Sequence, residues 1–261
     1  MDKFLIGMDS IFPHFMMYFG VGLIVFARVV GFFRFAPVFN RKEIFSFVRL
    51  SLAVITTVII VNILQPKSMY LEDFGSLLVA LILNYAVGAM VGYVAQLILL
   101  AIEAGADMIN MQMGLSSATV LDPTTQSQTS ILGRIFGILG IIIFIQIGGV
   151  YWVFRALMRT FEIFPIYSTS IPLEQLVNLD YVISLSSNVL YMGLQIASPV
   201  LLATLGQDII LGTISKTAPQ VNVFQLSFLF KPVLGAAIMI WILPLMFNII
   251  SDYFNSFANI F

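Results

Sequence analysis

The sequence predicts an all-α integral membrane protein of about six long apolar helices arranged as hairpins, and three observations lead there. Of the 261 residues, 60% are hydrophobic and 10% charged, with a mean hydropathy of +1.02. A soluble chain carries charge on about a quarter of its residues. The apolar residues fall in long blocks divided by short segments rich in Pro, Gly and charge. Several of these blocks carry polar or small residues at helical spacing, which demands a helix neighbour or an aqueous interior rather than lipid. The net charge of −1 argues against nucleic acid. With no Cys and one His, disulfides, zinc clusters and thiol catalysis are not expected. The first apolar run contains Arg28 and is followed by Pro37 and basic residues, unlike a cleaved signal peptide.

Residues 1–13 mix apolar and charged types and suit an interface, with His14 as an interfacial polar tip. The first span candidate is Phe15 to Phe33, interrupted by Arg28. An Arg inside a span costs about 2.5–3.5 kcal/mol on insertion scales. Arg28 is therefore expected either to meet a carboxylate of a partner or to snorkel to the surface. Pro37 should end this helix near Ala36, within the densest basic cluster of the chain, Arg34 to Glu43. The second span is Phe47 to Leu64, closed by Gln65, Pro66 and Lys67. Glu72 and Asp73 then precede the third block, where acidic residues favour a helix start.

The third block, Phe74 to about Asn110, exceeds the roughly 20 residues a simple span needs. Asn84, Gly88, Gly92, Gln96, Leu99, Glu103, Asp107 and Asn110 recur every three or four positions along it and share one face. Gly88 and Gly92 form a GxxxG pair that permits close helix approach. The face leads into residues 111–130, a stretch of small, hydroxylated, amide and Met side chains with Asp122 as its one charge. So long and uncharged a connector reads as functional, lining or closing a path at membrane depth.

The fourth block runs from Ile131 to about Phe161, with Gly133 and Gly137 bracketing Arg134. Near its end Gly148, Trp152, Arg155, Arg159 and Glu162 share a face beside Tyr151, an anchoring pattern. Residues 166–180 form a polar loop. The fifth block, Tyr181 to Gly212, repeats a polar stripe at Ser184, Asn188, Tyr191, Gln195 and Ser198, expected to glue helix to helix. Pro199 should kink it, and Asp208 closes its polar face. The sixth block, Phe224 to Phe254, holds Lys231, Pro232 and Pro244. With the fifth it makes a self-contained hairpin. The buried polar or subunit-contact candidates are thus Arg28, Asn84, Gln96, Glu103, Asp107, Asn188, Gln195, Asp208 and Lys231. Basic residues weigh weakly toward an N-terminus outside the cytoplasm.

Gly105-Ala106-Asp107 and Gly206-Gln207-Asp208 lack the surroundings of an intramembrane aspartyl protease, and no Gly-x-Ser-x-Gly, phosphate loop or metal constellation is present. Neither an enzyme nor a cofactor is expected. A polytopic secondary transporter is the alternative, since interrupted helices and intramembrane acids are its pointers. The two halves show no convincing repeat. A channel would need a ring of charges or carbonyls that the 111–130 stretch does not supply.

Several stretches resemble the FliR family of bacterial flagellar export-gate proteins and its virulence-secretion relatives. They are Ala27 to Phe33 with Ala36-Pro37-Val38-Phe39; Ala104-Gly105 with Met111 to Leu115 and Asp122-Pro123; and Thr217 to Phe224. Their order and spacing cover nearly the whole chain. The resemblance implies one membrane domain over residues 1–261, FliP-like in 1–165 and a FliQ-like hairpin in 181–255. It also implies a hetero-oligomeric helical assembly with FliP and FliQ, beside FlhB and inside the basal-body ring of the bacterial inner membrane. Unfolded flagellar subunits would pass through it, or secreted proteins of an injectisome in the virulence case. The family's plug, carried onto this chain, covers Ile109 to Thr119: Ile109, Asn110, Met111, Gln112, Met113, Gly114, Leu115, Ser116 and Ser117 lead it. Family members commonly have Phe at or near the position of Ser117. The family's helices form a spiral of hairpins raised from the membrane plane, so apolar blocks need not equal crossings.

Overall fold

Seven α-helices hold most of the residues that the computed structural model describes, namely 15–41, 44–64, 74–117, 120–121, 128–166 and 179–258. They are α1 (Phe15–Phe35), α2 (Ser46–Leu64), α3 (Phe74–Gln112), α4 (Ile131–Gln146), α5 (Gly149–Ile163), α6 (Leu179–Thr217) and α7 (Val223–Ala258). Between α3 and α4 lie a 3₁₀ turn, Leu115–Ser117, and two-residue strands β1 (Val120–Leu121) and β2 (Gln128–Thr129). The strands pair antiparallel, Val120 opposite Thr129 and Leu121 opposite Gln128. The expectations for His14, Glu72, Asp73, Thr119, Asp122 and the 167–178 loop fall outside the described residues.

Five helices are long and apolar enough to cross a membrane, and α4 with α5 counts as a sixth span if taken as one. The all-α membrane class expected from composition is therefore what the chain forms. At 39 residues, α3 and α6 each extend about 58 Å, nearly twice the roughly 30 Å of a bilayer core.

The fourth block is where the sequence reading of one helix fails. Gly148 takes φ +77°, a left-handed conformation that needs glycine, and the chain restarts as α5. The helix before it is closed by Ile147 N–H donating to the Ile143 carbonyl and Gly148 N–H donating to that of Ile145. At 15 residues α5 is too short to span alone. It is amphipathic: Val153, Ala156, Leu157 and Phe161 are buried, while Tyr151, Arg155, Arg159 and Glu162 face outward. The Arg155 guanidinium sits over the Trp152 ring, 5.4 Å from its centroid.

The chain divides into two compact units. One holds α1, α2, α3 through Gln96, and α5 from Val150; the other holds α3 from Leu97, α4, α6 and α7. The division does not follow the boundary between 1–165 and 181–255, because residues 97–149 cluster with the α6–α7 hairpin.

In the first unit, α1 packs on α2 and crosses α3 backbone to backbone. A methyl on Gly88 would land on the Arg28 carbonyl, one on Gly31 on that of Tyr85, and one on Gly92 would lie 2.6 Å from that of Phe32. The GxxxG reading is thereby borne out, with Gly31 as its counterpart on α1. Phe32, Phe33, Phe39 and Phe154 form an edge-to-face cluster that ties the turn after α1 to α5. Val38 in that turn has φ +70°, unusual for a β-branched residue. Arg49 secures the turn by donating to the carbonyls of Phe39 (3.0 Å) and Arg41 (3.1 Å). On α2, Ala53, Thr57 and Ile60 make a narrow buried stripe and the remaining apolar surface faces outward, as lipid contact requires.

In the second unit, Gly105 of α3 meets Gly193 of α6: a Cβ at 105 would stand 2.7 Å from the Gly193 carbonyl oxygen. Gly140 of α4 accommodates Leu99 and Ile102 of α3. The α6–α7 turn is capped by Asn222, whose side chain accepts from Gln225 N–H at 3.2 Å. Helix α6 continues through Pro199. The proline has no N–H for the Gln195 carbonyl, and Ser198 Oγ donates to that oxygen instead at 3.0 Å.

Candidate functional site

Arg28 of α1 is 1% exposed. Its Nε donates to Asn84 Oδ1 at 2.9 Å, and Nη2 donates to the same oxygen at 2.5 Å and to the Phe164 carbonyl at 2.9 Å. Nη1 donates to the carbonyl (2.9 Å) and hydroxyl (3.3 Å) of Thr160, and the guanidinium lies 4.2 Å from the centroid of Phe161. All five N–H groups are thus satisfied. Neither sequence expectation holds: the oxygens are neutral and the side chain does not reach a surface. The carbonyls of Thr160 and Phe164 belong to the C-terminal end of α5, where the helix dipole is negative and a cation is favoured. Asn84 is oriented for its role by donating its own Nδ2 to the Ala80 carbonyl at 2.7 Å. Asn84 was legible in the polar stripe; Thr160 and Phe164 were not, because only the fold brings residues 132 and 136 positions away to Arg28.

The second site lies at the far end of α3. Helix α3 continues to Gln112, so Ile109, Asn110, Met111 and Gln112 are its last turn rather than loop. Ile109, Asn110 and Met113 are buried, and Met111 is 71% exposed. Gly114 takes φ +75° and reverses the chain over Phe228 of α7, to which an added Cβ would come within 3.6 Å. Leu115, Ser116 and Ser117 follow as the 3₁₀ turn, with Leu115 half-buried and Ser116 exposed.

The return of this excursion is anchored to the same helix. Ser130 caps α4: its Oγ accepts from Gly133 N–H at 2.8 Å and donates to Asp107 Oδ1. Asp107 therefore places a carboxylate at the positive end of α4. Gly133 permits this, since a Cβ there would stand 2.7 Å from Asp107 Oδ1. Met113 and Ser130 are so both held within two turns of the end of α3.

The other candidates sort plainly. Asp208 and Lys231 pair with each other at 2.8 Å across the α6–α7 hairpin. Gln96 and Glu103 are half-buried on α3. On α6, Asn188, Tyr191 and Gln195 of the stripe are exposed, while Met192, Gly193, Ile196 and Ala197 are buried. Among the described residues, Asn110 Oδ1 and the side-chain amide of Gln207 are buried without a hydrogen-bond partner. An open cavity of about 500 Å³, lined by Val221, Asn222, Gln225, Leu226, Phe228 and Leu229, adjoins the start of α7. Among the described residues no His, Cys, Asp and Glu gather as a metal site. What holds the end of α3 is therefore apolar packing at Met113 and the hydrogen bond between Ser130 and Asp107.

Residues 19–257 match the family described as bacterial export proteins, family 1. The chain is 27% identical over 238 residues to the flagellar biosynthetic protein FliR of Escherichia coli (strain K12), covering 89% of each chain. It is 24% identical to that of Bacillus subtilis (strain 168), covering 89% of this chain and 90% of the relative. For Aquifex aeolicus (strain VF5) the figures are 23%, 92% and 91%. A match across nearly all of the helical chain makes it a member of family 1 of the bacterial export proteins, the family of the flagellar biosynthetic protein FliR.

Proposed function

We propose that this chain is a subunit of the flagellar protein export gate in the bacterial inner membrane, and that the 109–119 segment plugs the closed path. In this reading it assembles with FliP and FliQ, beside FlhB and within the basal-body ring, and unfolded flagellar subunits are the passing substrate. The observation that carries the reading is the uncharged turn at the end of α3. Among the described residues after the helix, the deeply buried side chain is Met113, held by apolar packing. A closure that must yield to chains of any sequence needs a lining with no fixed chemical demand, and Met is the adaptable apolar side chain. Partner subunits are supported by the outward-facing amide of Gln195 within an apolar helix. In a bilayer such groups belong against protein or water rather than lipid.

Deleting Met111 to Ser117 should leave the assembled complex intact and make it leak small solutes. Mild-detergent purification checks assembly by mass, and swelling or dye release of vesicles checks permeability. An assembled deletion variant with unchanged permeability would sink the plug.

A further inference from the structure

We propose that Gly235 of α7 is a socket for Met113, and that filling this socket holds the 113–117 turn closed. The inference rests on the plug reading above and adds where, and by what, the plug is seated.

A Cβ at residue 235 would stand 2.6 Å from Met113 Sδ and 2.8 Å from both Cγ and Cε. The thioether thus occupies the space that any other residue at 235 would fill. Met113 is 2% exposed, in contrast to the 71% of Met111 two residues earlier. Gly114, in its left-handed conformation, then lays the turn on Phe228, whose ring is braced by Phe224 with centroids 4.9 Å apart. Socket and brace are two turns apart on α7, so one helix receives the plug at two points.

The seat is held by dispersion between a flexible thioether and a glycine backbone, so it can open without leaving a charge behind. Among the described residues, Asn110 Oδ1 and both polar atoms of the Gln207 amide are buried without a partner. Asn110 is one helical turn before Met113. Gln207 adjoins Asp208, which bonds Lys231 one turn from Gly235. Hydration of these amides on opening would offset part of the dispersion energy given up when Met113 leaves.

The chain has no cysteine, so an engineered pair reports cleanly. In Met113→Cys/Gly235→Cys the new sulfur at 113 would occupy the Cγ position, 2.8 Å from the Cβ at 235, which suits a disulfide. The assembled complex should cross-link on mild oxidation, stop exporting flagellar subunits, and resume on reduction. Gly235→Ala alone should raise solute leak about tenfold, as overpacking displaces Met113. Adding Met113→Ala to Gly235→Ala should bring the leak back down, because the shortened side chain makes room. A merely structural glycine would not show that reversal.

The socket is overturned if the assembled pair does not cross-link, if cross-linking leaves export unchanged, or if Gly235→Ala assembles and does not leak. Should Gly235→Ala fail to assemble, the cross-link decides. A leaking Met111–Ser117 deletion beside a tight Gly235→Ala would remove the socket and keep the plug; a tight deletion would remove the plug itself.

Discussion

Around Arg28, each of five donor hydrogens reaches an oxygen of the same chain, whereas the seat of Met113 is apolar and Asn110 Oδ1, one turn earlier, has no partner. Both regions lie in an apolar chain where a stray polar group is costly. The difference is one of completion. The Arg28 cage closes on itself and gains nothing from opening, so it is built to hold α1, α3 and α5 in place. The end of α3 is held by complementary shape, which a competing surface can replace. A buried charge that is fully satisfied marks permanence, and a seat held by shape alone leaves room for exchange.

Four experiments break or sharpen that contrast. Arg28→Ala should have the largest effect, about 3–5 kcal/mol of reduced stability, since it leaves the oxygens of Asn84, Thr160 and Phe164 without their donor and opens a cavity. The readout is thermal melting in detergent together with yield of the assembled complex; Arg28→Lys should recover only part, having the charge without the planar fork. A variant as stable as the parent would show the cage to be incidental. Gly88→Ala should cost about 1–3 kcal/mol, because its methyl collides with the Arg28 carbonyl. Gly206→Ala is the control, with open space at its Cβ, and should be neutral or gain up to about 1 kcal/mol from helix propensity. Asn110→Leu should move the other way. Removing a buried unsatisfied carbonyl is expected to raise the melting point, by about 1–2 kcal/mol of stability. A lower melting point would mean that the carbonyl has a partner in the assembly. Smallest is Asp208→Asn, at about 0–1 kcal/mol, since Asp208 is 44% exposed in its pair with Lys231. The double swap Asp208→Lys/Lys231→Asp should restore the parent's melting point.

Periodicity alone disclosed the long helices, the GxxxG crossing at Gly88 and Gly92, and the stop at Pro37, because each follows from local geometry. Ser130 directly before Ile131 was an available capping signal for α4. The break at Gly148 was also within reach, since two adjacent glycines stand where one helix would have run beyond 30 residues. What lay beyond reach was pairing at long range. A polar stripe says that a face avoids lipid and does not say what it meets. The α3 stripe turned inward at Asn84 and Asn110, while the α6 stripe turned out at Asn188 and Gln195. Gly235 gave no sign at all, for it sits in no repeated spacing and acquires meaning only from Met113, more than a hundred residues earlier.

The reach of the Arg28 bonds also sets a timetable for synthesis. Three of its four oxygens lie 132 and 136 residues later in the chain. At about 5–20 residues per second, the ribosome delivers them roughly 7–30 s after Arg28 itself. During that interval the first helix carries a guanidinium whose cage is incomplete, and it has reason to linger at the insertion machinery or the membrane surface. Nascent chains arrested before Phe164 should therefore leave α1 extractable by alkali, and chains arrested well beyond it should not.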